Sequence, residues 1–498
     1  MVEDKKIDIK CLGEVNSSKK FGFGIRHVQM ICMNITMVVL FLGRSSLGVA
    51  VLAMTDVTRR NDTNVEIYDW DKKTQGLILS SFFWGYMTMQ IPAGLLAKKY
   101  GGKLILFVAL VANGLLCLAL PTLAHYGGWI SVCVCRVCMG LTQACLFPAS
   151  HTLLGRWLPS SERTALTGLV YGGTQIGTII AMPVSGVLAE TALGWKMIFY
   201  STGGLMLLTA FIWFWFAASS PGEHRMISEE EKDYIEMELN TGHRSKQNRP
   251  TPWGDLFRTL PLWAILVAHV GTTIGFTLFF VDLPTYLERA MQLSLKNSAS
   301  LSALPYVGMW IGSVGSSAIC EKIYNRGLLS VVFCRKMFNS IALFGTAAGC
   351  VVLAFLDPEH KQIAIVTLVA TLTLFGFIQS GFMVNHLDLS PHFAGVMLSI
   401  TNFAGSLGSI ITPVVTSLIL KNDPSCISSW RIVFLLIASV AVASNIFYVV
   451  FGSADRVTWD SQEYCERRRA TIEEMKPLKN LKKLQEKNEK AQKKASKH

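Results

Sequence analysis

Twelve stretches of roughly twenty apolar residues run through this chain, each long enough to cross ~30 Å of hydrocarbon as a helix. They fall near 28–53, 75–97, 104–124, 129–153, 165–189, 196–218, 262–287, 300–320, 336–356, 362–384, 394–420 and 430–452. The chain is 51% hydrophobic and 16% charged over 498 residues, with a mean hydropathy of +0.39, which leaves too few polar residues to clothe a soluble protein of this length. Inside lipid every backbone N–H and C=O needs a partner from its own chain, so apolar runs of this length fold as helices. The expected fold class is an all-α membrane protein with twelve transmembrane helices.

The net charge of +12 raises the question of a nucleic-acid partner, and its placement answers it. With both termini cytoplasmic, most of the 46 Lys and Arg fall on the inner side, the familiar positive-inside bias. The bilayer, not a nucleic acid, is the expected macromolecular surrounding, and Arg467 to Lys497 read as a solvated basic tail. Residues 1–24 are polar and lack a signal-peptide pattern, so the first span serves as an uncleaved signal. Cys133, Cys135 and Cys138 spread around a helix and read as packing residues, not ligands, so no metal or cofactor is expected. No nucleotide-binding loop or catalytic nucleophile arrangement is visible, which points away from an enzyme.

Composition changes between the sixth and seventh spans, where Pro221 to Arg258 carry an acidic run and then a basic one. The expected layout is a tail over 1–24, a six-helix bundle over 25–220, a linker with a short helix over 221–260, a second bundle over 261–453 and a tail over 454–498. Trp195-Lys196-Met197-Ile198-Phe199 opens the sixth span and Trp430-Arg431-Ile432-Val433-Phe434 the twelfth, so the halves repeat in parallel.

Arg44 and Arg136 stand inside apolar runs. A guanidinium there costs about 2.5–3.5 kcal/mol on the lenient insertion scale, so it normally faces a watery cavity and holds an anion. The planar fork suits phosphate or carboxylate. The competing readings are a buried salt bridge for Arg44 and a brace to backbone carbonyls for Arg136. Arg136, Gly140, Gln143 and Phe147 share one helical face, on which Gly140 leaves space beside the charge and Gln143 can donate to a bound oxygen. His151 continues that face, as a titrating group or a packed histidine. Asp282, near the outer end of the seventh span, is a candidate for Na+, a proton, an arginine partner or a helix-end acid. Gly168, Gly172, Gly173 and Gly177 permit close helix packing. Asn61-Asp62-Thr63 is a glycan acceptor pattern in an outer loop, whereas Asn34-Ile35-Thr36 lies in the membrane.

Longer motifs carry a resemblance. Gly94-Leu95-Leu96-Ala97-Lys98-Lys99-Tyr100-Gly101-Gly102-Lys103 resembles the major facilitator signature between spans two and three. Arg136 to Gln143, Phe147-Pro148-Ala149, Arg156 to Arg163, Ser302 to Tyr306, Val384 to Pro391 with its Asn385-His386-Leu387-Asp388 run, and Ile400-Thr401-Asn402 resemble the anion:cation symporter branch. That branch holds sodium/phosphate cotransporters, sialin and vesicular glutamate transporters.

The resemblance implies the facilitator fold, two pseudo-symmetric six-helix bundles with spans one, four, seven and ten around a central cavity. It implies a secondary active symporter of inorganic phosphate or small organic anions, coupled to Na+ or H+, working as a monomeric transport unit. The family usually has Asp where this chain has Lys98, so the matching carboxylate is expected in the second half, at Glu321. Vesicular and lysosomal members have Glu where this chain has Gln143, and vesicular glutamate transporters have Arg at Thr272. The resemblance therefore favours a plasma-membrane phosphate or organic-anion carrier and Na+ coupling. A proton-coupled exporter like sialin stays open, as does an anion channel or nutrient sensor on the same scaffold. Asn385, His386 and Asp388 stand at the inner end of the tenth span, either gating it or capping helices.

Overall fold

The computed structural model describes residues 22–56, 66–239, 251–292, 304–420, 425–461 and 464, and nearly all of them are helical. The first half comprises Ile25–Met54, Lys72–Tyr100, a kinked run Gly102–Gln143 continued by Leu146–Trp157, Arg163–Ala189 and Trp195–Phe216. The second comprises Leu260–Thr277 with its extension to Ala290, Leu304–Asn325, Val331–Ala354, Lys361–Phe375 with Phe382–Leu389, Ala394–Leu420 and Ile427–Phe451.

Nine helical stretches among the described residues are long and apolar enough to cross a membrane. One of them, Gly102–Trp157, holds two spans: at Gly128 the backbone turns to φ 57°, a region closed to most side chains, and the chain doubles back between the third and fourth spans. The second and eighth spans are interrupted by Gly, Ser, Trp and Tyr and are less apolar. Together these make the two six-helix halves of the major facilitator fold.

Each half has its own apolar core. One gathers Met30, Phe82, Leu110, Trp157, Tyr171 and Trp195, the other Ile265, Phe279, Leu343, Phe375, Trp430 and Tyr448. The start of the first helix at Ile25, Trp459 after the last one and the Glu229–Glu238 linker helix lie on one face, termed the terminal face; residues 66–71, Gly128 and Gly194 mark the opposite one.

Three boundaries differ from the sequence reading, each for a physical reason. The ninth span begins at Val331, with Ser330 accepting from the Phe333 N–H at 3.2 Å, so Arg335 lies inside the span and is buried. The tenth breaks into a tight turn over Gly376–Gln379 and resumes, carrying Asn385, His386 and Asp388 on its last helical piece. The seventh widens into π-helical turns at Leu278–Asp282 and Tyr286–Ala290, on either side of Pro284, which has no N–H to offer a regular turn.

The halves are zipped along the terminal side. Gly168 and Gly172 pack on Ser317 and Trp310 of the eighth span, Gly94 on Ser399 of the eleventh, and Gly155 on the Pro391 carbonyl. Gly173 and Gly177 pack on the first span at Asn34 and Val38, so these four glycines of the fifth helix serve close approach, whereas Gly186 faces open space.

Candidate functional site

The second and fourth spans cross backbone on backbone. A Cβ on Gly85 would strike the Val137 carbonyl, and one on Gly140 the Phe82 carbonyl. Gly140 therefore leaves no space beside the charge, contrary to the sequence reading; it is the contact that presses Phe82 and Tyr86 against the fourth helix.

That crossing sets one ring against two cations. The Arg44 and Arg136 guanidinium carbons each stand 4.8 Å from the Phe82 centroid, so they are separated by no more than twice that distance. Arg44 is also ringed by Phe41 at 5.3 Å, Phe83 at 5.2 Å and Tyr86 at 5.1 Å. Counted from Met54 and from Gly128, the two arginines lie roughly 15 and 12 Å below the opposite face at 1.5 Å per residue. Among the described residues neither pairs with a carboxylate. Arg136 donates weakly to the Met139 sulfur at 3.7 Å, and its Nε is buried without a partner. Aromatic faces stabilise a desolvated cation without cancelling its charge, so apart from the Met139 contact of Arg136 and the Tyr86 hydrogen bond of Arg44 the guanidinium donors stay open to an anion.

Around this seat the other predicted residues take varied places. Gln143 gives its amide N–H to Asn113 at 3.0 Å, so its donor is engaged within the first half and only its oxygen lacks a partner. Phe147 bridges Phe41, edge to face at 6.0 Å, and Tyr171, stacked at 5.5 Å. Thr272 is buried with its hydroxyl unpartnered. Asp282 is half-buried, with Oδ2 buried and unpartnered. Asn61 and the basic tail lie outside the described residues.

On the terminal side of the aromatic line sits a chain of buried polar groups. Tyr171 hydroxyl meets His151 Nδ1, and His151 Nε2 reaches the Met383 carbonyl at 3.2 Å. His386 Nδ1 reaches the same carbonyl at 3.0 Å, its Nε2 meets Thr401 Oγ1 at 2.9 Å, and His269 Nδ1 meets that oxygen at 3.0 Å. A carbonyl only accepts, so both histidines donate to Met383; Thr401 then accepts from His269 and shares its one proton between His386 at 2.9 Å and the Leu398 carbonyl of its own helix at 3.2 Å. His151 is thus a hydrogen-bonded histidine that ties the two halves. His269 escaped the sequence reading and Thr401 entered it only as part of a family motif, since a lone His and Thr in apolar helices carry no spacing signal.

Closer to the terminal face, Asp388 accepts from Arg335 Nε at 2.7 Å and from Arg163 Nη1 at 3.3 Å, the latter across the interface. Arg335 also donates to Thr164 Oγ1 at 2.9 Å. Asn385 donates to the Tyr448 hydroxyl at 2.8 Å, a packing bond within the second half. Glu321 Oε2 accepts from the Ala165 N–H at 2.8 Å, laying its charge on the N-terminus of the fifth helix. At the equivalent end of the eleventh helix Lys98 donates to Thr251 at 2.9 Å and lies over the Phe393 ring at 4.5 Å. A carboxylate still serves that end: Ser390 accepts from the Phe393 N–H at 3.1 Å and donates to buried Asp460 at 2.6 Å.

This arrangement has counterparts among known proteins. The Major Facilitator Superfamily profile matches residues 33–413. A Drosophila melanogaster protein named "Putative inorganic phosphate cotransporter" is 34% identical over 90% of this chain and 88% of its own. Human sialin is 33% identical over 79% of this chain and 78% of its own, and bovine vesicular glutamate transporter 1 is 32% identical over 89% and 80%. Among solved structures, the proton:xylose symporter XylE superimposes with a TM-score of 0.68 at 14% identity, covering 87% of this chain and 97% of its own. The E. coli fucose:proton symporter FucP superimposes with a TM-score of 0.57 at 15% identity, covering 84% and 98%. At such identities these two speak for the fold alone. The chain belongs to the major facilitator superfamily, in the branch that holds the phosphate cotransporters, sialin and the vesicular glutamate transporters.

Proposed function

We propose that this protein is a secondary active symporter that moves inorganic phosphate or a small organic anion, coupled to Na+ or H+, by alternating access between its two halves. One observation carries the reading: two guanidiniums share the Phe82 ring deep in the membrane, and neither has a carboxylate among the described residues. A dianion held between them neutralises both, and removing it restores an expensive pair of buried charges. The relatives' names, a phosphate cotransporter, sialin and a glutamate transporter, agree with an anionic solute.

The terminal face is cytoplasmic in this reading, which puts the basic tail inside, and the protein resides in the plasma membrane as a monomeric transport unit with a glycan on Asn61. Na+ is preferred as the driving ion because Gln143 replaces a titratable glutamate. The test is uptake of labelled phosphate and labelled sialic acid into proteoliposomes, with Na+ and pH gradients imposed separately. Saturable phosphate accumulation driven by Na+ is expected, and Arg44→Ala abolishes it while the protein still folds. Sialic acid accumulation driven only by a pH gradient would replace this reading with that of a sialin-like exporter, and downhill flux without accumulation would make it a channel.

A further inference from the structure

Asp282 is a membrane carboxylate that no described residue neutralises. Its Oδ2 is buried and finds no hydrogen bond, and no ion pair engages it among the described residues. A carboxylate oxygen held away from water without a partner costs free energy, and a bound cation relieves that cost.

Among the described residues, its surroundings offer none from the protein. The eleventh span, Ala394–Leu420, packs on this stretch and contains no titratable side chain. The eighth contributes Tyr306, whose hydroxyl is given to the Phe279 carbonyl at 3.2 Å. On its own helix stand Tyr286, with a buried unpartnered hydroxyl, and Arg289, which has interactions of its own; the Glu288 side chain is not among those described. Asp282 closes the π-helical stretch Leu278–Asp282, a backbone form that recurs at functional sites because it breaks the regular hydrogen-bond ladder.

Its position in the fold supplies the second argument. The first and seventh spans open their respective halves and are equivalent under the repeat. Arg44 stands ten residues from Met54 and Asp282 eight from Ala290, roughly 15 and 12 Å from the same face. Opposite charges thus occupy matching depths on equivalent helices, and each lacks a partner with the terminal side closed.

We propose that Asp282 is the station for the co-transported monovalent cation, H+ or Na+, and that Arg44 and Asp282 pair with each other once both solutes have left. This rests on the symporter reading above. Anion and cation together leave no bare charge at either residue, and so does their mutual pair when the opposite side closes and brings the two spans together. Half-loaded states keep one charge uncompensated, which is how anion movement becomes tied to cation movement.

The test uses the full-length protein in proteoliposomes with inorganic phosphate as probe. Gradient-driven accumulation and phosphate–phosphate exchange are both measured, once with a Na+ gradient at fixed pH and once with a pH gradient without Na+. The arm that drives the wild type identifies the cation. In Asp282→Asn the ratio of accumulation to exchange falls about tenfold or more, the scale of a lost coupling energy; Asp282→Glu restores it. Wild-type accumulation in Asp282→Asn overturns the proposal. So does equal loss of accumulation and exchange in both variants when they remain monodisperse, since that marks a structural role. Failure of the symporter reading looks different: the wild type itself then accumulates nothing under either gradient.

Discussion

Arg163 of the first half reaches Asp388 of the second, Nη1 to Oδ1 at 3.3 Å, and also donates to the Leu387 carbonyl at 3.1 Å. The same carboxylate holds Arg335 through its other oxygen at 2.7 Å. One negative charge thus anchors two nearly buried guanidiniums, one from each half, and the terminal side opens only if Arg163 lets go. The separation leaves Asp388 paired with Arg335, so the gate opens without exposing a lone carboxylate.

That asymmetry predicts unequal mutants. Asp388→Asn strands both guanidiniums and costs about 3–5 kcal/mol, as expected for a broken buried pair. Thermal unfolding by circular dichroism shows the loss. Arg163→Ala leaves the Asp388–Arg335 pair intact and lowers stability less. It also weakens the seal over Cys320, which is fully buried and accepts from Arg335 at 3.5 Å. Maleimide labelling of Cys320 accelerates in Arg163→Ala; unchanged labelling would show that the pair does not hold the side closed.

A second prediction concerns a residue that touches no solute. Gly140→Ala drives a methyl into the Phe82 carbonyl and close to the Tyr86 N–H at 2.8 Å. Overpacking of this kind costs about 1–3 kcal/mol and shifts the neighbouring backbone. Because Phe82 stands against both guanidiniums, the shift reaches the anion seat, and the KM for the transported anion rises in the uptake assay. Gly204→Ala, where an added methyl meets nothing within 4 Å, leaves uptake unchanged.

The spans were legible because period and length of apolar runs follow directly from the bilayer's thickness, and Arg44 and Arg136 stood out because charge inside such runs is costly. What surrounds them was not, since Phe82, Phe83 and Tyr86 look like ordinary lipid-facing aromatics until the Gly85 and Gly140 crossing places them. Glu231 makes the same point. It sits in an acidic run that reads as a solvated helix start, yet its carboxylate is buried, accepts the Ile25 and Arg26 N–H groups at 2.9 and 3.1 Å, and pairs with Arg26 at 3.0 Å. The linker helix therefore caps the first span, a long-range contact that local composition does not encode. Arg335 was missed for a simpler reason: it stands one residue outside the expected span, where an arginine raises no question.

The histidine chain yields the last prediction. Thr401 is its only hydroxyl between His386 and His269, accepting from one ring and donating to the other. Valine has the same shape without the hydroxyl. In Thr401→Val the His269 N–H loses its acceptor and His386 Nε2 its donor, each at about 1–3 kcal/mol when buried. Both rings lie in the second half, so the loss appears in thermal unfolding even where the contact of His151 with Met383 persists. Thr401→Ser keeps both bonds and holds stability near that of the wild type. A valine variant as stable as the wild type would mean that the rings have other partners, and that the chain does not organise the tenth helix against the seventh and eleventh.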